Sequence, residues 1–127
     1  KCTVCGSGTF QTGRGLIDAG DCRLCRAGSY QSGLGMTGCT ACSPGTYLSQ
    51  QGRTDEKDCT MCAAGTYQSG TGLADKAGCT PCGEGTFQTG SGMTTPDDCR
   101  LCGPGTYQTG RGMAEPGACI PCGAGTY

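Results

Sequence analysis

The chain has 127 residues, 14 of them Cys and 26 Gly, with 9 basic and 10 acidic side chains for a net charge of −1. Leu, Ile, Val and Phe together number 11 and Trp is absent, which is too little apolar volume for one shared core; Cys at this density marks a disulfide scaffold of an oxidising compartment. The scattered charges exclude a basic stripe for nucleic acid, no apolar run reaches membrane-spanning length, and the lack of His removes the commonest metal ligand and general base.

The elements repeat, and the repeat is carried by pairs of Cys three apart. Unit 1 (2–21) opens on Cys2/Cys5 and continues through Gly8-Thr9-Phe10 to Gly13-Arg14-Gly15-Leu16 and an acidic stretch with Asp18 and Asp21. Unit 2 (22–38) opens on Cys22/Cys25, carries Gly28-Ser29-Tyr30 and Gly33-Leu34-Gly35-Met36, and is three residues shorter. Unit 3 (39–58) opens on Cys39/Cys42 and keeps Gly45-Thr46-Tyr47, but replaces the Gly-x-Gly with Gln50-Gln51-Gly52-Arg53. Units 4 (59–78), 5 (79–98) and 6 (99–118) open on Cys59/Cys62, Cys79/Cys82 and Cys99/Cys102, with aromatics Tyr67, Phe87 and Tyr107 and aliphatics Leu73, Met93 and Met113. A partial unit 7 (119–127) has Cys119/Cys122 and stops at Tyr127. Both ends fall inside the motif, so the array is expected to continue beyond them or to pair Cys2 and Cys122 outside this segment.

Each Gly-Thr-Tyr-Gln-Thr segment suits a short strand and each Gly-x-Gly a turn at positive φ. No window carries a helical apolar period. The fold class is therefore small disulfide-rich repeats: an elongated tandem array of short two-stranded β ribbons and loops with little or no helix. In such an array each unit is expected to touch only its neighbours. The aromatics Phe10, Tyr30, Tyr47, Tyr67, Phe87, Tyr107 and Tyr127 are expected to pack the repeats together, against the disulfides and against Leu16, Met36 and their equivalents. The competing reading is an exposed aromatic strip that binds carbohydrate or protein.

Residues three apart in an extended segment face opposite ways, so one Cys of a pair looks back along the chain and the other forward. The simplest pairing is then Cys5–Cys22, Cys25–Cys39, Cys42–Cys59, Cys62–Cys79, Cys82–Cys99 and Cys102–Cys119. Spacing alone does not fix connectivity. Bonds within each Cys-x-x-Cys would make seven redox sites in a row, without the βαβ setting such motifs use. Zinc is the stronger competitor, since two pairs separated by 16 residues match zinc-ribbon spacing. Against it, seven pairs do not divide into four-Cys sites, so no metal and no cofactor is expected. The acidic residues (Asp18/Asp21, Asp55/Glu56/Asp58, Asp97/Asp98) lack constant liganding spacing, and solvation rather than calcium is their expected role.

Cys-x-x-Cys-x-x-Gly-Thr-Tyr, with a further Cys about 15 residues on, resembles the ephrin-receptor-like cysteine-rich repeat. It is also similar to the single-disulfide submodule of tumour-necrosis-factor receptor ectodomains. The resemblance runs through the whole chain and implies disulfides from the Cys before Gly-[Ser/Thr]-[Tyr/Phe] to the next pair, at the cell surface or outside it. It says little about function. The long run of one submodule departs from the mixed modules of death-type receptors and counts against cytokine binding.

No nucleophile has a His partner and no carboxylate pair recurs, so an enzyme is not expected. The near-identity of the units favours a structural building block of an extracellular filament, stalk or surface coat, whose partners are neighbouring repeats or copies of itself. The alternative is a ligand-binding or adhesive receptor ectodomain. Thr12, Ser32, Ser69, Thr89 and Thr109 are candidate O-glycosylation acceptors, with attached glycans as the further partner.

Overall fold

The computed structural model describes residues 3–13 and 19–126. Six two-stranded antiparallel ribbons follow one another, and every strand is two residues long. Thr9–Phe10 pairs with Arg23–Leu24, Ser29–Tyr30 with Thr40–Ala41, and Thr46–Tyr47 with Thr60–Met61. Thr66–Tyr67 pairs with Thr80–Pro81, Thr86–Phe87 with Arg100–Leu101, and Thr106–Tyr107 with Ile120–Pro121. No α-helix occurs among the described residues; the only helical pieces are single 3₁₀ turns of three residues, at Ala19–Asp21, Glu56–Asp58, Lys76–Gly78, Pro96–Asp98 and Pro116–Ala118.

The second strand of each ribbon is the x-x of the following Cys pair. A folded link therefore runs from the second Cys of one pair to just before the second Cys of the next. Links 1 to 6 are residues 5–24, 25–41, 42–61, 62–81, 82–101 and 102–121, three residues out of phase with the period counted from the first Cys. One disulfide closes each link at a Cα separation of 5.6–5.9 Å. Link 2 is short because its loop lacks the 3₁₀ turn that the other five links have.

Each ribbon begins with a tight turn. In Ser43-Pro44-Gly45-Thr46 the Thr46 N–H donates to the Ser43 carbonyl at 3.3 Å, and Gly45 has φ of 81°. Pro at the second position and a positive-φ Gly at the third are what a type II turn requires. The Thr46 hydroxyl donates to the same carbonyl at 2.7 Å. The sequence pattern placed positive φ in the Gly-x-Gly segment, where the second Gly has it (Gly72, φ 70°), but gave no sign of this earlier Gly.

Consecutive links are joined by the same three backbone hydrogen bonds at all five junctions. Between links 3 and 4, Gly45 N–H donates to the Gln68 carbonyl (2.8 Å), Leu48 N–H to the Leu73 carbonyl (2.9 Å) and Gly72 N–H to the Cys42 carbonyl (2.9 Å). The second of these lies beside a parallel bridge between Tyr47 and Leu73, repeated at Tyr30–Arg53, Tyr67–Met93 and Phe87–Met113. These four aromatics thus bridge to that position of the following link, where the sequence reading had left open which link's aliphatic each would meet.

Alternate links also touch. A Cβ placed on Gly65 would fall within bonding range of the Gly112 carbonyl, two links on, and the same holds for Gly8 with Gly52, Gly28 with Gly72 and Gly45 with Gly92. The expectation that a unit meets only its neighbours is therefore corrected. Without a Cβ, and with φ positive, these glycines let backbone approach backbone across a whole turn of the stack. Links 1, 3 and 5 form one row and links 2, 4 and 6 the other.

The buried centre is built from sulfur and amide. Cys25, Cys42, Cys62 and Cys82 are fully buried, and Gln31, Leu48, Gln88 and Gln108 are buried in a column one residue beyond the aromatics. Phe10, Tyr30, Tyr47, Tyr67 and Phe87 are half-buried.

Candidate functional site: the repeating surface

Twelve of the cysteines are consumed in the bonds Cys5–Cys22, Cys25–Cys39, Cys42–Cys59, Cys62–Cys79, Cys82–Cys99 and Cys102–Cys119. A sulfur in a disulfide offers no thiolate to zinc and no thiol for exchange. Cys122 carries a free, half-buried thiol. Cys2, its counterpart in the sequence reading, lies outside the described residues, as do Leu16, Asp18 and Tyr127. No cluster of metal-ligating side chains occurs among the described residues.

Hydroxyl side chains fall into two rows with different occupations. Thr9, Ser29, Thr46, Thr66, Thr86 and Thr106 each donate to the carbonyl three residues back, at 2.6–2.9 Å. That bond closes the turn which aims the strand. The other row is Thr12, Ser32, Ser69, Thr89 and Thr109. All five are exposed, at the end of the strand where the chain leaves the ribbon. The structure brings them into one repeating position, one in each link but the third.

The aromatics share a position as well, but their exposure is uneven. Tyr107 is 49% exposed, whereas its equivalents in links 1 to 5 are half-buried. Those equivalents lean on a complete following link, and residues 122–126 supply only the start of one.

Three features went unread in the sequence. The first is the glutamine column. Gln68, Gln88 and Gln108 turn their side-chain Oε1 toward the Gly N–H of the preceding link, at 3.4, 3.1 and 2.9 Å. That N–H already donates to the backbone carbonyl of the same Gln, so one donor is shared between two acceptors. Gln31, in the short link, spends its amide on its own loop instead, accepting from Gly33 and donating to the Gly38 carbonyl. The constancy of Gln after the aromatic was the available signal.

The second is the work of the acidic residues. Asp55 accepts from the Lys57 N–H at 3.0 Å while Asp58 accepts from the Asp55 N–H at 3.2 Å; Asp75 accepts from the Ala77 N–H at 3.0 Å. Asp98 accepts from the Thr95 N–H, the Thr95 hydroxyl and the Thr94 N–H at 3.0–3.2 Å. Hydrogen bonding, first of all from the Thr95 backbone, holds the Asp98 carboxyl below its ordinary value of 3.8. These carboxylates cap the 3₁₀ turns, where bulk solvation had been the expected role. The spacing Asp55-x-x-Asp58 and Thr95-x-x-Asp98 is that of a capping box.

The third is the residue just before each second Cys. Leu24, Met61 and Leu101 are large, apolar and 58%, 61% and 79% exposed. Leu24 sits over the bare Cα of Gly52 and Met61 over that of Gly92, each on the link two further along.

No helix long and apolar enough to cross a membrane occurs among the described residues. No curated protein matches the chain. A family described as tyrosine-protein kinase ephrin type A/B receptor-like matches it twice, over residues 15–59 and 52–99. Those spans cover more than half of the chain, and their boundaries fall in successive repeats of the disulfide-closed links. Family and disulfides together point to the cell exterior or cell surface. The chain belongs to the ephrin type A/B receptor-like family of cysteine-rich repeats.

Proposed function

We propose that this chain is a structural, non-catalytic segment of an extracellular filament, stalk or surface coat, in which it forms a rigid disulfide-stapled rod. The observation that supports this reading is the sameness of the junctions. Every junction uses three backbone hydrogen bonds between equivalent positions, whatever the side chains are. A junction made by backbone can be repeated without limit, and neighbouring repeats or further copies are then the natural partners. The exposed hydroxyls of Thr12, Ser32, Ser69, Thr89 and Thr109 are proposed as O-glycan acceptors that would clothe the rod at one site in each link but the third.

A receptor ectodomain is the second reading, favoured by the family's description. Electron microscopy of the native material decides between them. Uniform filaments whose density fits the repeating link support the rod. Single copies standing on a membrane and bound to a separate ligand would overturn it. Intact mass of the native protein tests the glycans, since a mass equal to that of the bare chain would remove them.

A further inference from the structure

Link 3 departs from the other links at three positions, and the departures belong together. Of the seven glutamines in the chain, five stand one residue beyond an aromatic, at Gln11, Gln31, Gln68, Gln88 and Gln108, and all five are buried or half-buried. Link 3 has Leu48 at that position and carries the remaining two, Gln50 and Gln51, in its loop. Gln50 takes the place of the first Gly of the Gly-x-Gly, and Gln51 that of the residue between the glycines. Both are exposed, and neither side-chain amide has a partner among the described residues.

The equivalent loops of other links have no room for such a side chain. A Cβ placed on Gly33, Gly90 or Gly110 would meet the methionine three residues on at 2.5–2.9 Å and the side-chain amide of the column Gln at 3.3–3.4 Å; on Gly70 it would meet the Gln68 amide at 3.2 Å. In link 3 both obstacles are gone. Leu48 has no amide to lay against the loop, and Arg53, in the methionine's place, reaches to 3.9 Å from Asp58. The set Leu48, Gln50 and Arg53 thus moves carboxamide from the axis of the molecule to its surface. A glutamine in the column is shielded from any nucleophile, whereas Gln50 and Gln51 are open to one. The lysines among the described residues, Lys57 and Lys76, are also exposed, one in the same link and one in the next.

We propose that Gln50-Gln51 is an acyl-donor site for an acyltransferase of the cysteine-nucleophile, transglutaminase class, which joins one rod to Lys57 or Lys76 of a second copy through an isopeptide bond. The enzyme's thiolate attacks the Gln carboxamide carbon, the C–N bond breaks, and ammonia leaves. The Lys ε-amine then attacks the thioester and loses a proton, and the thiolate departs as the new amide forms. Nothing is oxidised or reduced, so the disulfides are untouched. The chain carries both halves of the reaction, amide and amine, on its surface. The junction hydrogen bonds run along the rod, and this bond ties one rod to the next sideways. The proposal rests on the rod reading, and the two fail separately. Filaments without isopeptide bonds would remove the cross-link alone; isopeptide-joined copies that build no filament would remove the rod alone.

The test uses the chain with disulfides intact and free thiols alkylated, so that Cys122 cannot join copies. It is incubated with a purified transglutaminase and dansylcadaverine as the probe amine, then mapped by peptide mass. Label is expected at Gln50 or Gln51, with the column glutamines unlabelled. Without the probe, covalent dimers that persist in denaturant and reductant are expected. Gln50→Asn with Gln51→Asn keeps the amides but draws them back towards the backbone, and should abolish both label and dimers. Lys57→Arg with Lys76→Arg should abolish the dimers and leave the label in place. Native disulfide mapping and hydrogen exchange at the junction amides show that both variants keep the fold. Absence of label at Gln50 and Gln51 would overturn the proposal, as would equal labelling of the column. So would label without dimers, dimers that survive the lysine variant, or native material whose complete digest holds no γ-glutamyl-ε-lysine.

Discussion

At Gly65, Gly85 and Gly103 one added methyl meets three different surroundings. Gly65 has φ of 85° and the Gly112 carbonyl at its back; Gly85 has φ of 74° but open space; Gly103 has open space and no positive φ. Gly85→Ala is expected to cost about 1–2 kcal/mol from the left-handed backbone alone. Gly65→Ala is expected to cost more, because the carbonyl two links on must also withdraw. Gly103→Ala should stay within about 0.5 kcal/mol. Native-state hydrogen exchange of the Gly112 and Gly92 amides ranks the three. The buried Gln88, 3% exposed, gives a second residue-scale expectation. Leu48 already occupies the equivalent position, so Gln88→Leu should be nearly neutral: the Gly65 N–H keeps its 2.8 Å bond to the residue 88 carbonyl. Gln88→Glu should be harmful, with a pH sign that can be worked out. Burial raises the pKa of a carboxyl in the folded state. The cost is absent below the unfolded value of about 4.3 and grows as pH rises through it, which chemical denaturation at pH 3.5 and pH 7 would resolve. These distinctions mark the limit of what the sequence shows. That Gly recurs after each Cys pair is plain in the sequence; that Gly65 is crowded by residue 112 is a matter of curvature, which no spacing within one unit encodes.

The element scale belongs to the link. Its ribbon of two-residue strands is far too short to persist unaided, and the disulfide supplies what the sheet lacks. Removing the link 4 staple with Cys62→Ser and Cys79→Ser is expected to cost about 3 kcal/mol for a loop of this length. Exchange should rise first at Gly92, whose N–H donates to the Cys62 carbonyl, and at Gly45, whose N–H donates to the Gln68 carbonyl. The 3₁₀ turn that closes the loop has its own pH response. The Asp98 carboxyl titrates lower in the fold than in the unfolded chain, so its contribution is present above pH 3.8 and is lost as pH falls through the folded value. Carboxyl carbon chemical shifts should place the Asp98 titration below 3.8, and Thr95→Val should move it back towards that value. The ribbons and the absence of long helix were legible because Thr-Tyr runs and Gly-x-Gly turns recur in fixed phase. The 3₁₀ turns were legible in principle from Thr95-x-x-Asp98 but hidden among residues that read as ordinary solvated acids. The aromatics could be picked out by their fixed phase, but not how deeply each would be covered or which link it would meet. In a globular core they would be the largest apolar groups and would go inside. Here the cystines fill the axis first, and the rings are left half-covered at the junction with the next link.

On the scale of the whole molecule, contacts to both the next link and the one after make the array a braced strip rather than a row of beads. Bending it between links 3 and 4 must disturb the contacts of 2 with 4 and 3 with 5 as well, so flexibility at any one junction is shared with those beside it. Link 2, lacking a 3₁₀ turn, and link 3, with Leu48 and Arg53 in place of Gln and an aliphatic, form an irregular stretch among the described residues. There the Gly28 N–H meets a single acceptor, the Leu48 carbonyl, where Gly65 and Gly85 each meet two. Its exchange should be faster than theirs by an amount a protected-amide map would show.

The disulfide ladder also sets how far the molecule can be drawn out. A pull applied along it does not run through the loops. The covalent route enters at Cys25, crosses to Cys39, passes through Thr40 and Ala41 to Cys42, and crosses again to Cys59. Each link adds a cystine span of about 5.8 Å and three residue steps of about 3.4 Å, so about 16 Å when taut, against about 70 Å for an opened 20-residue unit. The strands, the exposed hydroxyls and the half-buried rings all hang outside that route, and feel little of the force it transmits. Such a molecule behaves as a chain with a fixed maximum length, and a reductant would lengthen it about fourfold.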